Sequence, residues 1–506
     1  MTAMDAAALI WNQSRMQMAE ERIPIVIIGA GFGGIAMAMA LRQAGETDFV
    51  ILERAADVGG VWRDNAYPGA ACDVVSRIYS FSHDQDYEWS TTFAPQPEIL
   101  DYIHRVVARH GVRPHIRFNC DVAAARFDEE AAIWHIETAD GARIATPVLI
   151  SAVGLFNRIK IPDFPGRQSF AGVQFHSARW RHDFDLAGKT VAVIGNGASA
   201  VQFVPKIAPL VKQLYLFQRT PQYVLPKSIF PGNGEWDARL QRRRSLRGLA
   251  RLKIFLTFEK FVWRRKWRPK ARLKGEAGFR AMLAAKIPDP ALRAKLTPSY
   301  PIGCKRQLVS NEWFDTLIRP NVAVIDTPIA GLTETGLSTT DGALRTVDAI
   351  IYGTGFTPTD YLQPMRVTGL GGRDLNAAWR EGAEAYLGIT VTGFPNFFML
   401  YGPNTNAITS IIFMLECQAH YIARCIRALK ARRAAYMNVR AGSQARFVAE
   451  VQRRTRGTVQ AMTICVTYFK NEFGRITTNW PGYAVEYRWR TARVRQRDYE
   501  FVGRTP

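Results

Sequence analysis

Two glycine turns and two strand-end residues of opposite charge are the first groups in this sequence that could do chemistry. Gly29-Ala30-Gly31-Phe32-Gly33-Gly34 has GxGxxG spacing, and Glu53 follows 24 positions after Gly29. Gly195-Asn196-Gly197-Ala198-Ser199-Ala200 has GxGxxA spacing, and Arg219-Thr220 follows, with Arg219 again 24 positions after the first glycine. Turns of this kind let the backbone approach a pyrophosphate at a helix N-terminus, where unpaired N–H groups and the helix dipole favour negative charge. A carboxylate at the second strand end receives ribose hydroxyls. A guanidinium there holds a 2′-phosphate, which an acid would repel. The first turn is therefore expected to serve FAD or NAD, and the second to prefer NADPH.

Each turn needs a strand before it and a helix after it. Pro24-Ile-Val-Ile-Ile28 and Thr190-Val-Ala-Val-Ile194 are continuous apolar runs, Ile35 to Leu41 is a small-residue helix, and Phe49 to Leu52 and Leu214 to Phe217 supply the second strands. The pattern predicts an α/β fold with two Rossmann-like dinucleotide-binding domains. From Lys227 to about Gly303 the sequence is rich in Arg, Leu and aromatics at helical spacing and reads as an insertion. Strand patterns return at 322–326 and 347–355.

The chain has 506 residues, 47% hydrophobic and 22% charged, which excludes a small disulfide scaffold and a disordered chain. Its six cysteines are scattered with no CxxC pair, which argues against zinc and for reduced thiols in a cytoplasmic protein. The uncharged stretches 23–41 and 385–415 are broken by Gly, Pro and Asn, so no transmembrane helix is expected. Of the net charge of +22, the stretch from Arg239 to Lys274 contributes +14, with 15 Lys or Arg against Glu259 alone. That concentration is unlike a nucleic-acid binder. On a helix, Leu252, Phe255, Leu256, Glu259 and Trp263 share a stripe, with Arg264 to Arg268 following. Two readings remain: residues 239–274 lie peripherally on an anionic membrane, or their apolar face packs on the second domain and caps a substrate pocket.

Three further segments carry a family resemblance. Gly59-Gly60-Val61-Trp62 through Tyr67-Pro68-Gly69 to Asp73 resembles the [A/G]GxWxxxx[F/Y]P[G/M]xxxD motif of the Baeyer–Villiger monooxygenases. Phe170-Ala-Gly172 through His176 to Trp180 resembles that family's FxGxxxHxxxW fingerprint, with Arg181 where Pro or Asp is usual. Asp348 to Gly355 is similar to the DxxIxATG segment of two-dinucleotide flavoproteins, with Gly353 in place of Ala. Asn404-Thr405-Asn406 and Thr477 to Trp480 resemble the branch containing 4-hydroxyacetophenone monooxygenases, although Asn406 runs into Ala-Ile-Thr-Ser410 rather than a glycine-bearing turn.

The resemblance implies hydride transfer from NADPH to FAD, capture of O2 as a C4a-peroxyflavin, and oxygen insertion into a ketone to give an ester or lactone. It implies that Arg306 stabilises the peroxyflavin, that Lys305 assists Arg219 at the 2′-phosphate, and that Asp73 orients Arg306. It places His176 in the linker coupling cofactor and oxygen chemistry. Gly60, Val61, Trp62 and Tyr79 fall beside the flavin, and Trp480 near nicotinamide or substrate. The FAD domain is expected to combine 1–155 and 380–506, and the NADPH domain 156–226 and 305–379, with the insertion at 227–304. The rivals are N- or S-oxygenation, and a flavin-binding protein that docks to anionic surfaces. A glutathione-reductase type would need a redox disulfide beside the flavin, and Cys72 has no near partner in sequence. Zinc spacing and a GxSxG elbow are absent from the sequence.

Overall fold

The computed structural model describes residues 20–229, 246–267 and 269–503. β1 (Ile25–Ile28), α1 (Phe32–Gln43) and β2 (Val50–Leu52) form the first βαβ unit. β3 (Thr190–Ile194), α2 (Ala198–Ile207) and β4 (Gln213–Phe217) form the second. Helices α3 (Arg247–Trp267) and α4 (Pro269–Lys286) follow in the insertion, and α5 (Ile411–Arg432) and α6 (Ala484–Thr491) lie near the chain's end.

The two units sit in separate parallel sheets. The first runs Phe397–Met399, Val148–Ser151, β1, β2, Ile116–Arg117. The second runs Val322–Ile325, β4, β3, Ala349–Tyr352, Val173–His176. Strands covered on both faces read as unbroken apolar runs, and all of β1 is buried accordingly. α1 packs along α5 as well as on the sheet, which is why its small residues from Ile35 to Leu41 are buried all round. A Cβ on Gly34 would stand 1.9 Å from the Gly29 carbonyl oxygen, so the helix can lie this close to its turn only with glycine there.

A third sheet, Glu21–Arg22, Arg143–Thr146, Ile133–Thr138, Val122–Asp128, Arg366–Thr368, covers the first unit. Arg366–Thr368 pairs with Val122–Asp128 at the edge of this sheet, and Leu362, Met365, Val367 and Trp379 share its core. Arg366–Thr368 is a three-residue edge strand, too short to show periodicity in sequence.

α3 and α4 are helical as expected, but α3 buries another stripe. Ala250, Ile254, Phe258, Glu259 and Val262 face inward, while Leu249, Leu252, Leu256 and Phe261 are 57%, 51%, 55% and 41% exposed. Polar anchors decide this. Arg247 donates to the Asp86 carbonyl and Glu88, and Arg251 to the carbonyls of Arg77 and Ser80. The Glu259 carboxylate accepts from Thr409 Oγ1 at 2.9 Å and from the backbone N–H groups of Ala484 and Val485 at the start of α6. Residues 239–245, the Trp263 side chain and those of Arg264 to Arg268 lie outside the described residues. No described helix is long and apolar enough to cross a membrane.

Candidate active site

The first turn fits a dinucleotide by its open side. A Cβ on Gly31 would meet only the Gly60 Cα, at 3.8 Å, so the turn leaves its face free toward α1's N-terminus. Phe32 turns into the core against Tyr79 and Phe81, and Gly33 packs on Ala152 and Leu400. Glu53, 4% exposed, accepts from the Ala30 and Ala55 N–H groups at 2.7 and 3.0 Å and pairs with Arg63 at 3.1 Å. Carboxylate oxygens carry about four acceptor positions, which leaves capacity for a ribose hydroxyl. Val61 opens the short helix that carries Trp62, whose indole N–H donates to Tyr79 Oη at 3.0 Å.

At the second turn, Asn196 donates to Gln218 and to the Thr220 carbonyl, fixing the strand end. Ala198 and Ser199 lie at the α2 N-terminus, and Ala200 is buried with Gly353 against it. A Cβ on Gly353 would stand 3.4 Å from the Ala200 Cβ, so the two positions are in close contact. Arg219 is exposed, and Lys305 Nζ donates to Thr220 Oγ1 and lies 4.7 Å from the Tyr300 ring centre. Burial, and then the charge of Arg219, bring Lys305 down to about 8. Two cations held together in this way suit a phosphate dianion.

Between the units, Arg306 forks onto Asp73. Nε donates to Oδ2 at 2.8 Å and Nη2 to Oδ1 at 2.6 Å, with the Arg306 side chain 38% exposed. Asp73 holds the guanidinium's pKa above its ordinary value. Tyr468 and Tyr401 lie near the same guanidinium, and Tyr401 Oη donates to Asn406 Oδ1 at 3.0 Å. Asn406 in turn donates to Asn479, and Asn404 to the carbonyls of Ile476 and Asn479.

The segment leading to Asp73 is clamped to α2. Gln202 Oε1 accepts from Tyr67 Oη at 2.9 Å and from Ala71 N–H at 3.3 Å, and its Nε2 donates to the Ala71 carbonyl at 2.8 Å. Gly69, at φ +81°, would put a Cβ 2.7 Å from the Gln202 carbonyl oxygen, so glycine is required by both conformation and contact. Tyr401, Tyr468, Gln202 and Arg63 carry no motif of their own in the sequence. Gln202 is recruited by contacts with a segment more than 130 positions away, whereas Arg63 meets Glu53 ten positions back.

Two expected site residues make most of their contacts within the protein. His176 is 2% exposed, donates from Nε2 to the Gly355 carbonyl at 3.0 Å and accepts the Ala178 N–H at Nδ1. Burial lowers it to about 4, so it is neutral, with both nitrogens committed to backbone, and it joins the strand 173–176 to the Gly355 turn. Trp480 is 3% exposed, its N–H donates to the Tyr483 carbonyl, and Arg454 and Arg490 lie over its ring at 5.3 and 5.7 Å. It packs with Phe447 and Tyr487 within the first unit's core, and its backbone N–H donates at 3.0 Å to the carbonyl of Asn406, the residue that accepts from Tyr401.

The cysteine expectation is corrected. Cys304 and Cys465, 161 positions apart, are joined by a disulfide with Cα atoms 5.4 Å apart, while Cys72, Cys120, Cys417 and Cys425 are free. Pairing by fold leaves no local spacing to read.

Residues 26–224 match the family described as pyridine nucleotide-disulphide oxidoreductase. Over 501 residues the chain is 42% identical to a Baeyer–Villiger monooxygenase of Streptomyces coelicolor, covering 97% of this chain and 95% of that protein. It is 39% identical to a Baeyer–Villiger monooxygenase of Pseudomonas aeruginosa, over 92% of this chain and 88% of that one. Among solved structures it is similar to an oxidized steroid monooxygenase bound to NADP, with TM-score 0.83 and 30% identity over 95% of this chain and 100% of that one. Cyclohexanone monooxygenase from Rhodococcus sp. Phi1 bound to NADP+ superposes with TM-score 0.85 and 28% identity, over 96% and 100%.

Proposed function

The chain belongs to the Baeyer–Villiger monooxygenases, and we propose that Arg306, forked onto Asp73, is the group that fits its interdomain cleft to oxygen transfer. The enzyme uses NADPH and FAD to insert one atom of O2 into a ketone, giving an ester or lactone. Bound FAD supplies hydride acceptance and oxygen activation. The protein's own residues bind, orient and hold charge.

Gly29 to Gly34 and the α1 N-terminus hold the FAD pyrophosphate, Glu53 its ribose, and Gly60, Val61, Trp62 and Tyr79 flank its ring. Gly195 to Ala200 hold the NADPH pyrophosphate, while Arg219, Thr220 and Lys305 hold the 2′-phosphate. Arg306 keeps a permanent cation where negative charge develops during oxygen transfer, because arginine does not deprotonate there. Asp73 fixes its orientation through two parallel bonds. His176 is a positioning residue. The FAD unit takes up the chain again from about residue 360, where its core residues return.

The fork is the observation that carries this reading. It is tested by reducing the purified protein anaerobically with NADPH, then adding O2 with linear, cyclic or aryl ketones, or with an amine or a sulfide, and weighing the products. Esters or lactones heavier than the ketone by one oxygen are expected. Oxygenated amines or sulfides with no ester from any ketone would overturn it.

We further propose that the outward face of α3 and α4 rests on an anionic lipid surface. Leu249, Leu252, Leu256, Phe261 and Leu273 are exposed there, among the exposed Lys260, Lys270 and Lys274. Apolar burial and attraction to acidic lipids add together in such a face. Sedimentation with phosphatidylserine vesicles at low salt should carry the protein down, and Leu252→Asp with Leu256→Asp should release it. A parent protein that stays in the supernatant would leave the face as solvent-exposed surface.

A further inference from the structure

The stretch from Met462 to Phe473 is unusual in what it shows to solvent. Met462, Ile464, Val466, Tyr468 and Phe473 are 41%, 56%, 68%, 41% and 49% exposed, yet Cys465, between two of them, is 1% exposed. Cys465 is seated in the second unit's core beside Cys304, which is 0% exposed. The rest of the C-terminal region belongs with the first unit, through Thr477, Trp480 and α6. The bond therefore ties the two dinucleotide units together, and it does so one residue before Lys305 and two before Arg306.

We propose that Cys304 and Cys465 are a reversible oxidation site whose bond state sets whether the 462–473 loop is fastened over the Arg306 cleft. Two features point this way. Opening the bond withdraws the Cys465 side chain alone from the second unit's core, because its neighbours Ile464 and Val466 are already exposed. The loop carries Tyr468, which lies near Arg306 and Asp73 and so places the loop at the Arg306 cleft.

The oxidant is hydrogen peroxide, which this chemistry yields whenever NADPH and O2 react without a ketone to take the oxygen. The Cys304 thiolate attacks one peroxide oxygen, the O–O bond breaks, and hydroxide leaves a sulfenic acid behind. The Cys465 thiolate then attacks that sulfur, the S–O bond breaks, and a second hydroxide leaves. Both hydroxides take up the thiol protons as water, so two electrons pass from the sulfurs to the peroxide. A dithiol reverses the step by exchange, becoming the oxidised partner itself. Oxidation fastens the loop when oxygen is being spent without product.

The proposal rests on Arg306 as the oxygen-transfer cation, and its test separates the two. The flavin-loaded protein is treated natively with dithiothreitol or with hydrogen peroxide, desalted, then alkylated in denaturant and analysed as peptides. Cys304 and Cys465 should be alkylated after the first treatment and linked, two mass units lighter, after the second. Trypsin cleavage at Lys470, whose Nζ closes the loop on the Met462 carbonyl, should be at least about tenfold faster in the reduced form. Cys465→Ser, and independently Cys304→Ser, should cleave like the reduced parent whatever the treatment, and the ester formed per NADPH should differ between the parent's redox forms but not in either variant. Thiols still alkylated after peroxide, a bond that native dithiothreitol leaves closed, or equal cleavage of both forms would overturn the switch. A bond that opens, closes and controls cleavage in a protein giving no ester would instead remove the oxygen-transfer reading.

Discussion

Arg306 and Asp73 stand 233 positions apart and meet through two bonds of 2.8 and 2.6 Å, so their partnership depends on the guanidinium's planar fork. Lysine keeps the charge but cannot make two parallel bonds. Arg306→Lys should retain FAD and accept hydride while ester formation falls by roughly 10²- to 10³-fold, the cost of losing one preorganised charge contact. Product measured per NADPH consumed checks this, and parent-like coupling would move the role elsewhere. Lys305 gives a pH prediction. Its pKa is lowered to about 8 by burial and Arg219, so it is charged below that pH and neutral above. Phosphate binds the charged form, hence NADPH affinity should be highest below pH 8 and fall as pH rises through it. Lys305→Arg should flatten the profile. Arg219→Ala should lose most of the preference for NADPH over NADH, since a charge-assisted contact is worth about 1.5 to 3 kcal/mol, or ~10- to 100-fold.

Helices are placed here by a few polar anchors as much as by apolar faces. Glu259 gives its carboxylate to Thr409 and to two N–H groups of α6, so Glu259→Ala leaves the Thr409 hydroxyl and the Ala484 N–H buried without it. A loss of about 1 to 3 kcal/mol is expected, seen as a lower melting temperature and faster proteolysis within α3 and α4. Glu259→Gln keeps an acceptor and should lose less, whereas equal melting of parent and Glu259→Ala would show that α3 is held without it. The same contrast explains what the sequence could disclose. The βαβ units were legible because a close helix and a bound pyrophosphate require glycine at fixed intervals. Gly60 to Asp73 and Lys305-Arg306 were legible through family resemblance. The stripe on α3 was not, because its inward face follows Arg247, Arg251 and Glu259, whose partners lie about 150 or more positions away. The surroundings of Trp480 were illegible for the same reason: only the fold brings Arg454 and Arg490 over its ring.

At the scale of the whole molecule the question is how two nucleotide-binding units keep one cleft in register. His176 joins the second sheet's edge strand to the Gly355 turn, and Gln202 joins α2 to the segment that leads to Asp73. The helix expected to receive the NADPH pyrophosphate is thereby bonded to the backbone two residues before the carboxylate that aims Arg306. Gln202→Ala should leave FAD content and hydride transfer at saturating NADPH intact, because neither turn is touched. It should raise the peroxide released per ester formed by about tenfold or more, since a small misplacement of a charge-bearing group costs up to ~100-fold. Tyr67→Phe removes one of the three bonds and should shift coupling the same way by less. The double variant decides the mechanism: groups sharing one contact lose little more together than Gln202→Ala loses alone. Fully additive losses would mean that Tyr67 and Gln202 act separately and that the register of the two units is set elsewhere.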